Sequence, residues 1–148
     1  MQAAASVTTV AHVIQLAVAP VFLLTALATL INVLNGRLAR IVDRRRVVQA
    51  RLGEAPGSAG AEADVHEEMA LLDRRSGLIY FSIFFAVLSA LLVCLVVAGA
   101  FLGALMTADA SKAVATLFVM AMLATIACLS LFLREIFLAV RAGGHRRA

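Results

Sequence analysis

The sequence predicts an all-α integral membrane protein with three transmembrane helices, the first two extended into a cytoplasmic antiparallel helical hairpin. Three observations point there. The 148 residues are 63% hydrophobic and 15% charged, against roughly 45–50% apolar and about 25% charged in soluble domains. Apolar runs at 10–34, 78–105 and 113–133 each meet the length of about 20 residues that a hydrocarbon core of about 30 Å requires. The basic residues are unevenly placed: no Lys or Arg in 1–36, eight Arg in 37–77, Lys112 alone in the turn 106–112, and four Arg from Arg134 onward. Residues 1–148 are read as a single membrane domain.

The first run competes with a signal peptide, because "AVAP" at 17–20 has the small residues of a cleavage site. No Lys or Arg precedes it and Pro20 would follow the cut, so it is read as a retained helix. Pro20 removes one backbone hydrogen bond, leaving the Leu16 carbonyl free, and so predicts a kink. The polar residues of this helix, Gln15, Thr25, Thr29 and Asn32, fall on one stripe, which should face protein or water and not lipid. Interhelical hydrogen bonding is the plain reading of the stripe; a water-lined or ion-binding surface is the sharper one.

"NVLNGRLARIVDRRR", at 32–46, decides what happens beyond the bilayer. Leu34, Leu38, Ile41, Val48 and Leu52 keep a helical apolar spacing, so the helix continues past Asn35-Gly36. A Gly in a helix interior costs only about 1 kcal/mol relative to Ala. "GEAPGSAGA", at 53–61, is the better terminator, and Val65, Met69, Leu72 and Ile79 then resume the spacing into the second run. Two arms result, Arg37–Leu52 and Glu62–Gly77, each projecting about 24 Å at a rise of about 1.5 Å per residue. The first is basic and the second mainly acidic. Folded antiparallel, they are expected to pair Asp43 with Arg74, Asp73 with Arg40 or Arg44, Arg46 with Glu68, and Arg51 with Glu62 or Asp64. An exposed pair contributes only about 0–1 kcal/mol, so the apolar seam must supply most of the stability.

The second run carries Ser82, Ala86, Ser89, Val93, Val96, Ala100 and Gly103 at alternating steps of four and three. Small side chains let backbones approach closely, which predicts a helix-packing seam, facing either this chain or a second subunit. At the inner end of the third run, Arg134-Glu135 lies at about the depth of Arg37, and Glu135 is expected to pair with Arg37 or Arg40. Cytoplasmic loops collect Lys and Arg, which places the N-terminus outside and the C-terminus in the cytoplasm. That bias also accounts for the formal charge of +4, so no nucleic-acid partner is needed. Arg37, Arg40 and Arg44 are nearest the surface and are expected to meet anionic lipid headgroups.

Signals for chemistry are poor. Cys94 and Cys128 lie at different depths, which disfavours a disulfide. His12, His66 and His145 are scattered without metal-ligand spacing. No Ser-His-acid set, nucleotide loop or paired catalytic carboxylates is present, so no catalytic residue, cofactor or metal is assigned and the chain is read as no enzyme.

"IQLAVAPVFLLTALATLINVLNGRLARIVDRRR", "LLDRRSGLIYFSI" and "LFVMAMLATIACLSLFLREIFLAV" resemble the bacterial membrane-protein family known as domain of unknown function 2721. The likeness runs from about Ile14 to Val140 and is most specific at "RLARIVDR" (37–44), "RR" (74–75) and "FLREI" (132–136). It implies a small three-span inner-membrane protein and brings no catalytic residues. Two function classes remain. One is a self-associating scaffold or interaction protein that engages a cytoplasmic protein partner through the hairpin. The other is a subunit of an oligomeric channel or transporter whose first-span stripe lines the path.

Overall fold

A computed structural model describes residues 2–54, 59–106 and 111–144, all of them helical. The expected loop at 55–58, the turn at 107–110, His145, Ser58, and the side chains of His12, Gln15, Arg51, Glu62 and Asp64 lie outside the described residues. Helix α1 is Gln2–Glu54, α2 is Ala59–Met106 and α3 is Ser111–Gly144. All three are long and apolar enough to cross a membrane, which makes this a multi-pass membrane protein.

The helices outrun the apolar stretches in the sequence. Helix α1 has 53 residues, about 80 Å at about 1.5 Å per residue, against a hydrocarbon core of about 30 Å. It passes through Asn35-Gly36 without a break. A Cβ at Gly36 would meet nothing within 4 Å, so the glycine is not there to admit a neighbour. The terminator expected over 53–61 shortens, because Gly53 and Glu54 still belong to α1 and Ala59, Gly60 and Ala61 already belong to α2. Likewise α3 continues eleven residues beyond 133, to Gly144.

Helical spacing is visible in burial. On α1, Pro20, Leu27, Leu34, Ile41 and Val48 are buried, seven residues apart. On α2, Leu72, Ile79, Ala86 and Val93 do the same, with Ser82, Ser89 and Val96 interleaved. On α3 the buried positions are Ala121, Ala124, Cys128 and Glu135. Steps of three and four keep one face of a helix against its neighbours along its length.

The chain groups into two compact units, Met1–Ile31 with Phe85–Ile126, and Asn32–Phe84 with Ala127–Ala148. In the first, the interior is small and hydroxyl-bearing. Ser89 Oγ lies 2.9 Å from the Ala121 carbonyl oxygen and 2.7 Å from Thr125 Oγ1, which is itself 3.0 Å from that carbonyl. Two hydroxyl protons thus serve three close contacts, a polar knot tying α2 to α3. Further along, a Cβ on Gly99 would stand 3.3 Å from Val114 Cγ2, so here a glycine does permit close approach.

The first-span stripe is not a buried one. Thr25, Thr29 and Asn32 are exposed in the chain, and the hydroxyls donate to their own helix, Thr25 to the Val21 carbonyl at 3.1 Å and Thr29 to the Thr25 carbonyl at 2.9 Å. The interhelical hydrogen bonds expected of them are replaced by local ones, because a carbonyl four residues back is always within reach. The stripe stands about 200° of helix from the Pro20–Leu27–Leu34 column, two residues out of phase with it.

Candidate functional site

The second unit places a charge where its sequence spacing calls for a core residue. Glu135 follows Cys128 by seven residues on α3 and is fully buried, alone among the charged side chains of the described residues. Leaving such a carboxylate unmatched would cost several kcal/mol. Two arginines match it. Arg37 of α1 donates from Nη1 to Oε2 at 2.8 Å, and Arg75 of α2 donates from Nη2 to Oε1 at 2.9 Å. Each helix contributes one member, so the node ties all three at one level.

Local sequence explains why those arginines reach it. Arg37 stands three residues after buried Leu34, and Arg75 three after buried Leu72. Both therefore flank the apolar column. Helix α3 also supplies Phe132, one turn before Glu135, whose ring centroid lies 5.1 Å from Arg37 Cζ. A cation over an aromatic face gains about 0.5–2 kcal/mol depending on desolvation. Arg37 is thereby held by an anion and a ring, while Arg75 keeps a buried Nε with no partner among the described residues.

A second charged layer repeats the geometry one heptad away. Arg44, seven after Arg37, donates from Nε and Nη2 to Oε1 of Glu68, seven before Arg75, at 2.9 and 2.8 Å. Further out, Arg45 meets Asp73 at 3.0 Å with both groups about half exposed. Arg37, Arg40, Ile41, Arg44, Leu72, Arg75 and Glu135 line a cavity of about 290 Å³.

The expected pairs partly change partner. Glu135 takes Arg37, and also Arg75, which the sequence reading did not assign to it; Arg40 makes no ion pair among the described residues. Asp43 does not meet Arg74 but lies 3.8 Å from Arg46 on its own helix. Asp73 takes Arg45 in place of Arg40 or Arg44, and Glu68 takes Arg44 in place of Arg46. Counting residues along two flat rails ignores helical phase: Asp43 and Arg74 each stand two residues, about 200°, from a buried neighbour, Ile41 or Leu72, and so point outward. Arg74 and Arg134 are exposed and unpaired among the described residues. Of the small seam, Ser82, Ala86 and Ser89 are fully buried, with Ser82 donating to the Leu78 carbonyl at 2.8 Å, while Ala100 and Gly103 are half-buried. The signal that finds Arg75 is that same seam: stepped backwards from Ser82 in threes and fours it passes Ile79, Arg75, Leu72 and Glu68.

Cys94 and Cys128 are free thiols, the first exposed and the second buried. Among the described residues no group of three or more His, Cys, Asp or Glu is placed to hold a metal ion. The family model described as "Protein of unknown function (DUF2721)" matches residues 17–144, which include every residue of the buried node and its cavity. No curated protein and no solved structure matches the chain. With α2 and α3 wholly inside that match and α1 inside it from residue 17 onward, the chain belongs to the DUF2721 family.

Proposed function

We propose that this protein is a non-enzymatic scaffold or interaction protein of the cell's inner (plasma) membrane, self-associating within the bilayer. In this reading the N-terminus is outside and the C-terminus cytoplasmic. The arms of α1 and α2 form an antiparallel hairpin that offers charge to a cytoplasmic protein partner. One observation carries it: both oxygens of the one fully buried carboxylate among the described residues, that of Glu135, are engaged by structural arginines, one from each of the other helices. Such a node clamps the three helices together, with a structural arginine on each carboxylate oxygen. Orientation is supported by the arginine-rich segment 37–77 and the arginine-free segment 1–36.

Self-association is supported by the exposed stripe of Thr25, Thr29 and Asn32, polar groups that a hydrocarbon environment favours placing against another helix. A single cysteine at Thr29, in a background with Cys94 and Cys128 replaced by serine, should crosslink two copies through their α1 helices in native membranes. Monomer alone under oxidising conditions, with the chain correctly inserted, refutes the self-associating scaffold. The same stripe favours a second reading, a channel or transporter subunit whose path it lines. Against that, Thr25 and Thr29 already donate their hydroxyl protons to backbone. Saturable ion flux through the wild-type protein in vesicles, abolished by Thr29→Leu with Asn32→Leu, selects the channel; crosslinking without flux selects the scaffold.

A further inference from the structure

We propose that the cavity between the two charged layers binds a phosphate-type oxyanion, with Arg40 as the guanidinium reserved for the ligand. The inference goes beyond the scaffold reading and does not depend on it.

Charge carries the first step. Four guanidinium groups, those of Arg37, Arg40, Arg44 and Arg75, line the cavity against the single carboxylate of Glu135. Glu135 is shared by Arg37 and Arg75, and Arg44 is matched by Glu68. The node therefore keeps one positive charge in excess and Arg40 adds a second, the complement of a dianionic phosphate group. Arg40 is exposed and engaged in no ion pair among the described residues, so nothing in the fold requires its charge.

Hydrogen bonding carries the second. Arg75 Nε is buried and unpartnered among the described residues, and a buried donor left unmade costs about 1–3 kcal/mol. An oxyanion brings several acceptor lone pairs, and the planar guanidinium fork suits phosphate better than a point charge does. Buried Ile41 and Leu72 form the apolar part of the wall, which limits competition from water.

Two sources of the same chemistry reach this place. Arg37, Arg75 and Glu135 stand within a few residues of the apolar runs ending at 34, starting at 78 and ending at 133, the depth at which lipid headgroup phosphates lie. A free phosphate or a soluble phosphate ester would enter from the aqueous side.

The test uses the full chain, purified in neutral, phosphate-free detergent. Its thermal unfolding is followed by circular dichroism against inorganic phosphate, and separately against phosphatidic acid in mixed micelles with phosphatidylcholine. A ligand that binds only the folded state raises the midpoint with a concentration dependence that yields its affinity. Arg40→Gln should weaken that affinity by about tenfold or more, the factor expected for one charge-assisted contact. The control Arg46→Gln, outside the cavity, should stay within about twofold. Stabilisation by inorganic phosphate that Arg40→Gln removes establishes a site open to free anions. Stabilisation by phosphatidic acid alone, removed by the same substitution, establishes a headgroup site. Equal weakening by Arg40→Gln and Arg46→Gln overturns the proposal in favour of diffuse surface charge, as does the absence of saturable stabilisation by either probe. If Arg40→Gln itself lowers the unliganded midpoint, native mass spectrometry of the wild type decides: one bound phosphate or phosphatidic acid per chain sustains the site, and none overturns it.

Discussion

The two compact units solve the same packing problem with opposite interiors. In the unit of Met1–Ile31 and Phe85–Ile126, α2 presents Ala86, Ser89, Val93 and Val96 to the interior. In the unit of Asn32–Phe84 and Ala127–Ala148, the same helix in the same phase presents Arg75, Leu72 and Glu68. The first interior is closed by close approach and shared hydroxyls, individually weak. The second is closed by guanidinium and carboxylate groups whose desolvation makes each member indispensable to the others. Tolerance to substitution should therefore differ sharply between them, although the seam is one continuous line on α2.

The largest difference is expected at Glu135. Replacing it by alanine leaves Arg37 and Arg75 facing each other without an anion, and removing one partner of a buried pair typically costs about 3–5 kcal/mol. Arg37 and Arg75 retain 37% and 21% side-chain exposure, so water offsets part of this and the lower end is expected. Thermal or chemical unfolding in detergent measures it. A loss below about 1 kcal/mol would mean that the node is solvated and that the second unit is held by its apolar columns alone.

In the first unit the sensitive property is size. Ala86 is fully buried, and Leu there adds bulk to a filled interior, at a typical cost of about 1–3 kcal/mol. Ser89→Ala should cost less, about 0.6 kcal/mol, the average for polar contacts between membrane helices. If Ser89→Ala proved the more damaging of the two, the hydroxyl knot with Ala121 and Thr125 and not the close approach would be what holds that unit. The contrast with the charged unit would then narrow.

How much of this was legible in the sequence follows from what each feature depends on. Three helices of membrane-spanning length were legible because hydropathy is a local property, and so was the continuation of α1 past Asn35-Gly36, because apolar spacing is too. Arg37 was legible as one of two candidate partners for Glu135, since each lies just beyond the end of an apolar run. Arg75 was not legible, because a half-buried arginine looks like a surface one until the phase of Ser82 and Ile79 is followed back to it. The column that α1 buries within this chain, Pro20, Leu27 and Leu34, was harder to read than the Thr25–Thr29–Asn32 stripe, because it is apolar and indistinct among apolar neighbours.

The smallest effect tests whether phase or mere proximity sets the charge pairs in the second unit. Arg44–Glu68 belongs to the interior layer, with side chains 35% and 20% exposed, whereas Arg45–Asp73 sits outside it at 45% and 52%. Their shortest contacts differ little, 2.8 against 3.0 Å, so distance alone predicts similar coupling. Burial predicts otherwise, because water screens the outer pair and long side chains there lose conformational freedom for little return. Double-mutant cycles with Arg44→Gln and Glu68→Gln should give a coupling of about 0.5–1 kcal/mol, and with Arg45→Gln and Asp73→Asn about 0–0.3 kcal/mol. The outer coupling should vanish in high salt while the inner one persists, since screening acts on exposed charges first. Equal couplings with equal salt dependence would show that both pairs are surface decoration, and the charged interior would then reduce to the Arg37–Glu135–Arg75 node.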